Sequence, residues 1–250
     1  MNKNQYSVYF DAKHYDSWTN REIDIPFYIN QINEYGDPVL ELGCGTGRLT
    51  LPIAEKEYKV VGIDTSRILL NYGRKKRNKK NLDVKFIQAD MRNFYLNQKF
   101  NLILIPFNTI HHILSLDNIE KVLDNVKNHL SEEGRFIVEL FNPNFDILNR
   151  DSNKKHNVVT YKDPYTEKEI DIYEKTRYDT AKQLLHLTWF YETEADVIKK
   201  REWKVRVWFP KEVDTLLSNN GFQIEQKYGD FDESPFTNNS GQQIIICKLN

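Results

Sequence analysis

From Arg21 to Pro143, short solid apolar runs alternate with segments whose apolar positions recur every three or four residues. Ile25, Tyr28, Ile29 and Ile32 mark one face of a helix that Gly36 and Asp37-Pro38 close. Val39 to Leu42 is a short buried strand, and "RLTLPIAEKEY" reads as a helix in which Pro52 is tolerable only within the first turn. "KVVGID" is a second strand, "SRILLNYGRKKRNKK" the next helix, "VKFIQAD" a third strand and "FNLILIPF" a fourth. "LDNIEKVLDNVKNHL" is amphipathic, and "GRFIVELFNP" supplies a fifth strand. Strands apolar on both faces and separated by helices make a parallel sheet covered on each side. Right-handed crossovers then put the C-terminal ends of the strands on one edge, where ligands bind.

The pattern changes after Pro143. "EIDIYEKTRYD", "QLLHLTWFYETEAD" and "VIKKREWKVRVWF" are rich in aromatic and β-branched residues and have no helix between them. In the last, alternation puts Trp203, Val205, Val207 and Phe209 on one face and Lys204, Arg206 and Trp208 on the other. These segments predict a small antiparallel sheet inserted into an α/β domain. "PKEVDTLLSNNG" restores a helix, and "FQIEQKYG" and "QQIIICKL" supply two last strands. Residues 1–145 and 210–250 are therefore expected to form the core, and residues 146–209 an antiparallel β lid.

Composition narrows the function classes. The chain has 250 residues, enough for one domain with an insertion, and a net charge of −1. No global field points to nucleic acid or to an anionic membrane. "GRKKRNKK" reads as the solvated end of a helix before it reads as a nucleic-acid contact. Cys44 and Cys247 give neither a disulfide framework nor a metal cluster. With no apolar leader and no run of membrane-spanning length, a cytoplasmic setting is expected.

The chemistry gathers behind the first strand, in "VLELGCGTGRLTL". A strand, a glycine loop and a helix N-terminus make a site for a nucleotide-like ligand. The glycines, Gly43, Gly45 and Gly47, run G-x-G-x-G, with Arg48 where the dinucleotide fingerprint needs its third glycine. No Gly-Lys-Ser/Thr follows, which excludes a P-loop, and no pyrophosphate is implied. Asp64 ends the second strand, where a carboxylate accepts from both hydroxyls of a ribose. Asp90, with Met91 behind it, ends the third; a carboxylate beside a soft apolar side chain suits an adenine amine and ring. Together they outline an adenosine without phosphates, although Asp64 also reads as a helix cap and Asp90 as a turn residue.

"VLELGCGTGR", "VVGID", "QADMRNF" and "LILIPFNTIHHIL" resemble the successive motifs of class I S-adenosylmethionine (SAM)-dependent methyltransferases, most closely the bacterial small-molecule type with a lid, similar to aminosugar N-methyltransferases. The resemblance implies a Rossmann-like, doubly wound seven-stranded sheet with its last strand antiparallel, and SAM across the strand ends. It sets Glu41 near the methionine amino group and an N-terminal aromatic over the methionine moiety, with Tyr15 ahead of Tyr6, Tyr9 and Trp18. Thr65 and Phe107 complete the expected cofactor contacts. In the aminosugar enzymes a His falls at the place of His112, which is therefore the expected base, ahead of His111, with Tyr15 the second catalytic candidate.

SAM carries its own activated methyl group, so no covalent nucleophile and no metal is expected; alignment, exclusion of water and proton removal suffice. Imidazole titrates near neutral pH, as a base should. Substrate contacts are expected from His111, from Asp230 and Asp232 of "GDFDESPF", and from Arg206 and Trp208, with Trp189, Tyr191 and Trp203 as further lid aromatics. The expected activity is methyl transfer to a nitrogen or oxygen of a small molecule, by a monomer or homodimer. Methylation of RNA or protein, and non-catalytic SAM sensing, are the alternatives.

Overall fold

A computed structural model describes residues 11–194 and 197–250; Tyr6 and Tyr9 lie outside the described residues. The chain divides into two units, residues 21–142 with 208–250, and residues 11–20 with 143–207.

The larger unit carries α2 (Ile25–Tyr35), β1 (Val39–Leu42), α3 (Thr50–Glu55), β2 (Val60–Asp64), α4 (Arg67–Lys80), β3 (Val84–Gln88), β4 (Phe100–Ile105), α5 (Leu116–His129), β5 (Leu130–Phe141), α7 (Pro210–Asn219), β10 (Phe222–Tyr228) and β11 (Gln242–Leu249). The sheet order is β10-β11-β5-β4-β1-β2-β3. β1 to β5 pair in parallel, and β11 runs antiparallel to both β5 and β10. This is the doubly wound sheet that the alternating pattern predicts.

Alternation sorts the core into two layers. Leu40, Leu42, Ile103, Ile105, Val138 and Leu140 pack with side chains of α5 and α7. Val39, Leu102, Leu104 and Ile137 pack on the other side with Phe27, Tyr28 and Ile32 of α2 and Leu51 and Ile53 of α3. Glu41 and Glu139 share the parity of Val39 and Ile137, so two carboxylates are carried into the second layer, both buried. Pro52 lies within the first turn of α3, as the sequence requires.

The smaller unit holds α1 (Ala12–Trp18), α6 (Phe145–Leu148) and an antiparallel sheet ordered β6-β7-β8-β9 (His156–Lys162, Glu169–Asp179, Leu184–Glu192, Val197–Arg206). Ile170, Ile172, Trp189 and Tyr191 form its buried face. Residues 11–20, expected with the core, group here: Trp18 meets Trp189 edge-on at 5.0 Å between ring centroids, and His14 Nδ1 lies 2.9 Å from the Tyr161 hydroxyl. The expected end of the insertion also moves. β9 stops at Arg206, before the alternation reaches Trp208. Trp208 is buried in the larger unit among Ile110, Phe136, Val138 and Leu217.

Candidate active site

Five parallel strands run side by side toward one edge: Leu42 lies opposite Ile63, Asp64 opposite Gln88, Glu41 opposite Leu104, and Ile105 opposite Val138. Adjacent strands are about 4.8 Å apart, so the segments after β1, β2, β3 and β4 are spatial neighbours.

The loop after β1 depends on its glycines. Gly43, Gly45 and Gly47 all have positive φ, at 81°, 55° and 80°. A Cβ on Gly43 would come within 2.4 Å of Thr109 Cγ2, and one on Gly47 within 2.7 Å of Phe86 Cζ. The loop is therefore pressed against its neighbours and held in a left-handed backbone that other residues adopt only with strain. Cys44 is a packing residue: its Sγ lies where a Cβ on Gly62 would sit.

Asp64 locks this loop. Its Oδ2 accepts the Gly45 N–H at 2.9 Å and its Oδ1 the Ser66 N–H at 2.7 Å. Burial pushes its pKa up, against the pull of these amides and that of Thr65. Ser66, not Asp64, caps α4 through its hydroxyl. Thr65 gives its carbonyl to Gln88 Nε2 at 3.1 Å.

Glu41 is buried on the α3 side, and its carboxylate accepts the Thr50 hydroxyl. Burial raises its pKa to about 7, opposed first by the Thr50 hydrogen bond and then by the Arg48 charge. Asp90 is lowered by Arg92, whose guanidinium bonds both its oxygens, at 2.9 and 2.5 Å. Asp90 Oδ1 also accepts the Arg92 N–H at 3.0 Å, so the turn reading of Asp90 is realised in the fold. Met91 is half-buried against the core.

After β4 the chain makes a left-handed step at Phe107 (φ 56°) and Asn108 (φ 59°), then a 3-10 turn over Thr109–His112. Such values are costly for residues with a side chain and cluster at functional sites. Glu139 braces the step: its Oε2 accepts the Phe107 N–H at 2.7 Å and the Tyr28 hydroxyl at 3.2 Å. Arg21 donates to both Glu139 oxygens, at 2.8 and 3.1 Å, and to Asp24 at 2.8 Å. Arg48 grips Asp24 through two nitrogens, at 2.7 and 2.6 Å. The guanidinium carbons of Arg21 and Arg48 lie 4.7 and 4.8 Å from the Phe107 ring centroid. Two cations and two buried carboxylates thus satisfy one another around Phe107.

The two histidines separate. His111 is 1% exposed, stacks on Phe141 at 3.7 Å and accepts the Phe141 N–H on Nε2 at 3.2 Å. It is a packing residue, which corrects its expected substrate role. His112 is half-buried, and burial lowers its pKa to about 4. Burial thus favours the neutral imidazole, the form that accepts a hydrogen bond, and sets its pKa below the near-neutral value expected of a base.

The remaining expected contacts take these places in the fold. Trp208 is a core residue, and its assignment as a substrate contact is corrected with its place in the fold. Asp230 and Asp232 are exposed; each accepts a nearby backbone N–H, of Phe231 and Ser234, and so shapes its own turn. Tyr15 and Arg206 belong to the smaller unit, where Tyr15 meets Trp18 edge-on at 5.4 Å and Arg206 donates to Gln183 Oε1 at 2.7 Å. Trp189 and Tyr191 are core residues of that unit. Sequence reasoning missed the Arg21–Asp24–Arg48–Glu139 network. Its one visible trace was Arg48 inside the glycine motif, which was read only as breaking a dinucleotide fingerprint.

A left-handed glycine loop is thus locked by the acid of the next strand, on a doubly wound sheet with an antiparallel last strand. Residues 39–134 match the family model described as a methyltransferase domain. A methyltransferase from Streptomyces caelestis superposes with a TM-score of 0.81 at 23% identity, covering 95% of each chain. A SAM-bound amino pentose methyltransferase from Micromonospora echinaspora gives 0.72 at 13% identity over 98% of each. The cypemycin N-terminal methyltransferase of Streptomyces sp is 32% identical over 43% of this chain and 43% of its own. The chain spans about half the length of the first curated relatives it matches. The chain has the fold of the class I SAM-dependent methyltransferases.

Among the described residues no group of three or more His, Cys, Asp or Glu could hold a metal ion, and no helix is long and apolar enough to cross a membrane.

Proposed function

We propose that this protein is a SAM-dependent methyltransferase acting on a nitrogen or oxygen of a small molecule. The observation that carries the reading is the strand-end edge, where Asp64 accepts a hydrogen bond from the left-handed glycine loop and Glu41, just before that loop, is buried against Thr50. Glu41, Asp64 and Asp90 offer carboxylate acceptors to a ligand rich in donors: an ammonium group, two ribose hydroxyls and an adenine amine. When bound, the cofactor supplies an electrophilic methyl carbon.

The chain's own residues bind, orient and handle protons. Asp64, already committed to the loop through one lone pair of each oxygen, has the others for the ribose hydroxyls. Glu41 ionises when an ammonium group approaches. Met91 offers an apolar face to the adenine. His112, neutral at pH 7, accepts a hydrogen bond from the acceptor's N–H or O–H and so fixes its lone pair toward the methyl group. The braced Phe107 step keeps His112 in place.

Two measurements test this reading. Calorimetry is expected to show S-adenosylhomocysteine (SAH) binding more tightly than NAD, and the reverse order would reject the cofactor assignment. A screen of amines, sugars and small acids with SAM, scored by SAH release, is expected to find an acceptor. Turnover with RNA or protein fractions alone would move the acceptor to a macromolecule.

A further inference from the structure

The smaller unit has a charged face to which the proposed function assigns no role. In β7, β8 and β9 the register sets Arg177 opposite His186 and His186 opposite Lys204, three basic side chains in one row across three strands. The next row on that face is Lys175, Thr188 and Glu202. The intervening row begins with Thr176 and Leu187, which are buried on the other side. Like charges directly opposite one another weaken a sheet, so this row is not explained by the sheet's own stability.

The carboxylates nearby are engaged with other cations. Glu202 pairs with Lys200 at 2.5 Å, and Asp179 lies 3.9 Å from Lys182. Among the described residues none pairs with Lys175, Arg177 or Lys204. Lys175, Arg177, His186, Thr188 and Glu202 of these rows line a concavity of about 370 Å³, together with parts of Thr176, Leu187 and Trp203, and Ser152 adds a hydroxyl. Its donors are thus a guanidinium, an ammonium, an imidazole and two hydroxyls.

We propose that this concavity binds the phosphate group of a small molecule. A tetrahedral oxyanion accepts from every one of these donors and relieves the repulsion along the row. The planar fork of Arg177 takes two oxygens at once, while Lys175 and His186 reach the others as charge-assisted donors. The assignment stands independently of the methyltransferase reading, since none of its residues lies in the larger unit.

The test uses the full chain, with inorganic phosphate, pyrophosphate and a nucleoside diphosphate as probes in separate arms, and chloride at matched ionic strength as control. The readouts are calorimetry and the ring NMR signals of His186. In the free protein, burial and the charges of Arg177, Lys204 and Lys182 hold the His186 pKa below its ordinary value, against the opposing pull of Asp179. Lys175 and Glu202 flank the same concavity. A bound oxyanion is expected to raise that pKa, and binding is expected to saturate. Arg177→Gln is expected to weaken it by about tenfold or more, the loss of a charged hydrogen-bonding partner. Lys168→Gln, an exposed charge-matched control, is expected to leave it unchanged. If only the nucleoside diphosphate binds, the ligand is a nucleotide; if all three bind, the phosphate alone suffices. Shifts that chloride reproduces, or equal losses in the two variants, would overturn the proposal. SAH affinity, measured on the same samples, reports separately on the methyltransferase reading.

Discussion

Glu41→Gln gives the sharpest test of the cofactor edge, because stability and binding are expected to move in opposite directions. The Glu41 carboxyl titrates at about 7 in the folded protein and at about 4.3 in an unfolded chain. An acid whose pKa is raised by folding holds its proton in the native state while the unfolded chain releases it. Its penalty is absent below the unfolded value, grows as pH rises, and is complete above about 7. The difference corresponds to roughly 4 kcal/mol. The Gln variant, which cannot ionise, is expected to be the more stable protein at pH 8 without ligand, by up to that amount less any loss in its bond with Thr50.

Binding runs the other way. If the ligand's ammonium group requires ionised Glu41, the apparent affinity scales with the ionised fraction, about 0.1 at pH 6 and about 0.8 at pH 7.5. SAH is then expected to bind about eightfold more tightly at pH 7.5 than at pH 6, with release of close to one proton at pH 6. The Gln variant is expected to bind weakly with no such slope. Calorimetry in two buffers of different ionisation enthalpy measures both quantities. A flat profile for the native protein, or a Gln variant that binds SAH equally well, would refute the placement of Glu41 beside the ammonium.

Three further outcomes are expected. Asp64→Asn removes a charged acceptor and is expected to weaken SAH binding at least tenfold, at about 1.5–3 kcal/mol per lost bond; an unchanged dissociation constant takes Asp64 out of the site. Arg21→Ala leaves Glu139 buried without its cation and is expected to destabilise the fold by about 3 kcal/mol in urea unfolding; a loss under about 0.5 kcal/mol would show that the network around Phe107 is dispensable. His112→Ala is expected to lower turnover by about 10²-fold with SAH affinity unchanged, whereas His111→Ala is expected to lower stability first. Equal, small turnover losses in the two would reduce both to packing, and NMR showing His112 titrating near 6.5 would contradict its burial.

The sheet was legible because burial on both faces leaves a mark that needs no neighbours: "FNLILIPF" and "VVGID" can be little else than strands between helices. The glycine loop was legible for a related reason. A left-handed backbone at Gly43, Gly45 and Gly47 is a local demand, and only glycine meets it without strain. Asp64 followed, since a strand end and its loop lie next to each other in sequence. The spacing of His111 and His112 likewise says that only one of them can face outward from the turn.

Tertiary structure alone decided what depends on partners far apart in the chain. Glu139 looks like an ordinary polar residue of a strand, yet it closes a network with Arg21 and Tyr28, more than a hundred positions away. Trp208 continues the alternation of β9 on paper, but the strand ends first and the indole enters another core. Imidazole chemistry in the sequence suggests a pKa near neutrality at His112, and burial lowers it by making the charged form costly. Sequence encodes local geometry and periodicity directly. Charge compensation, desolvation and the allegiance of a segment to one core or another are sums over the whole fold, and no window of the chain contains them.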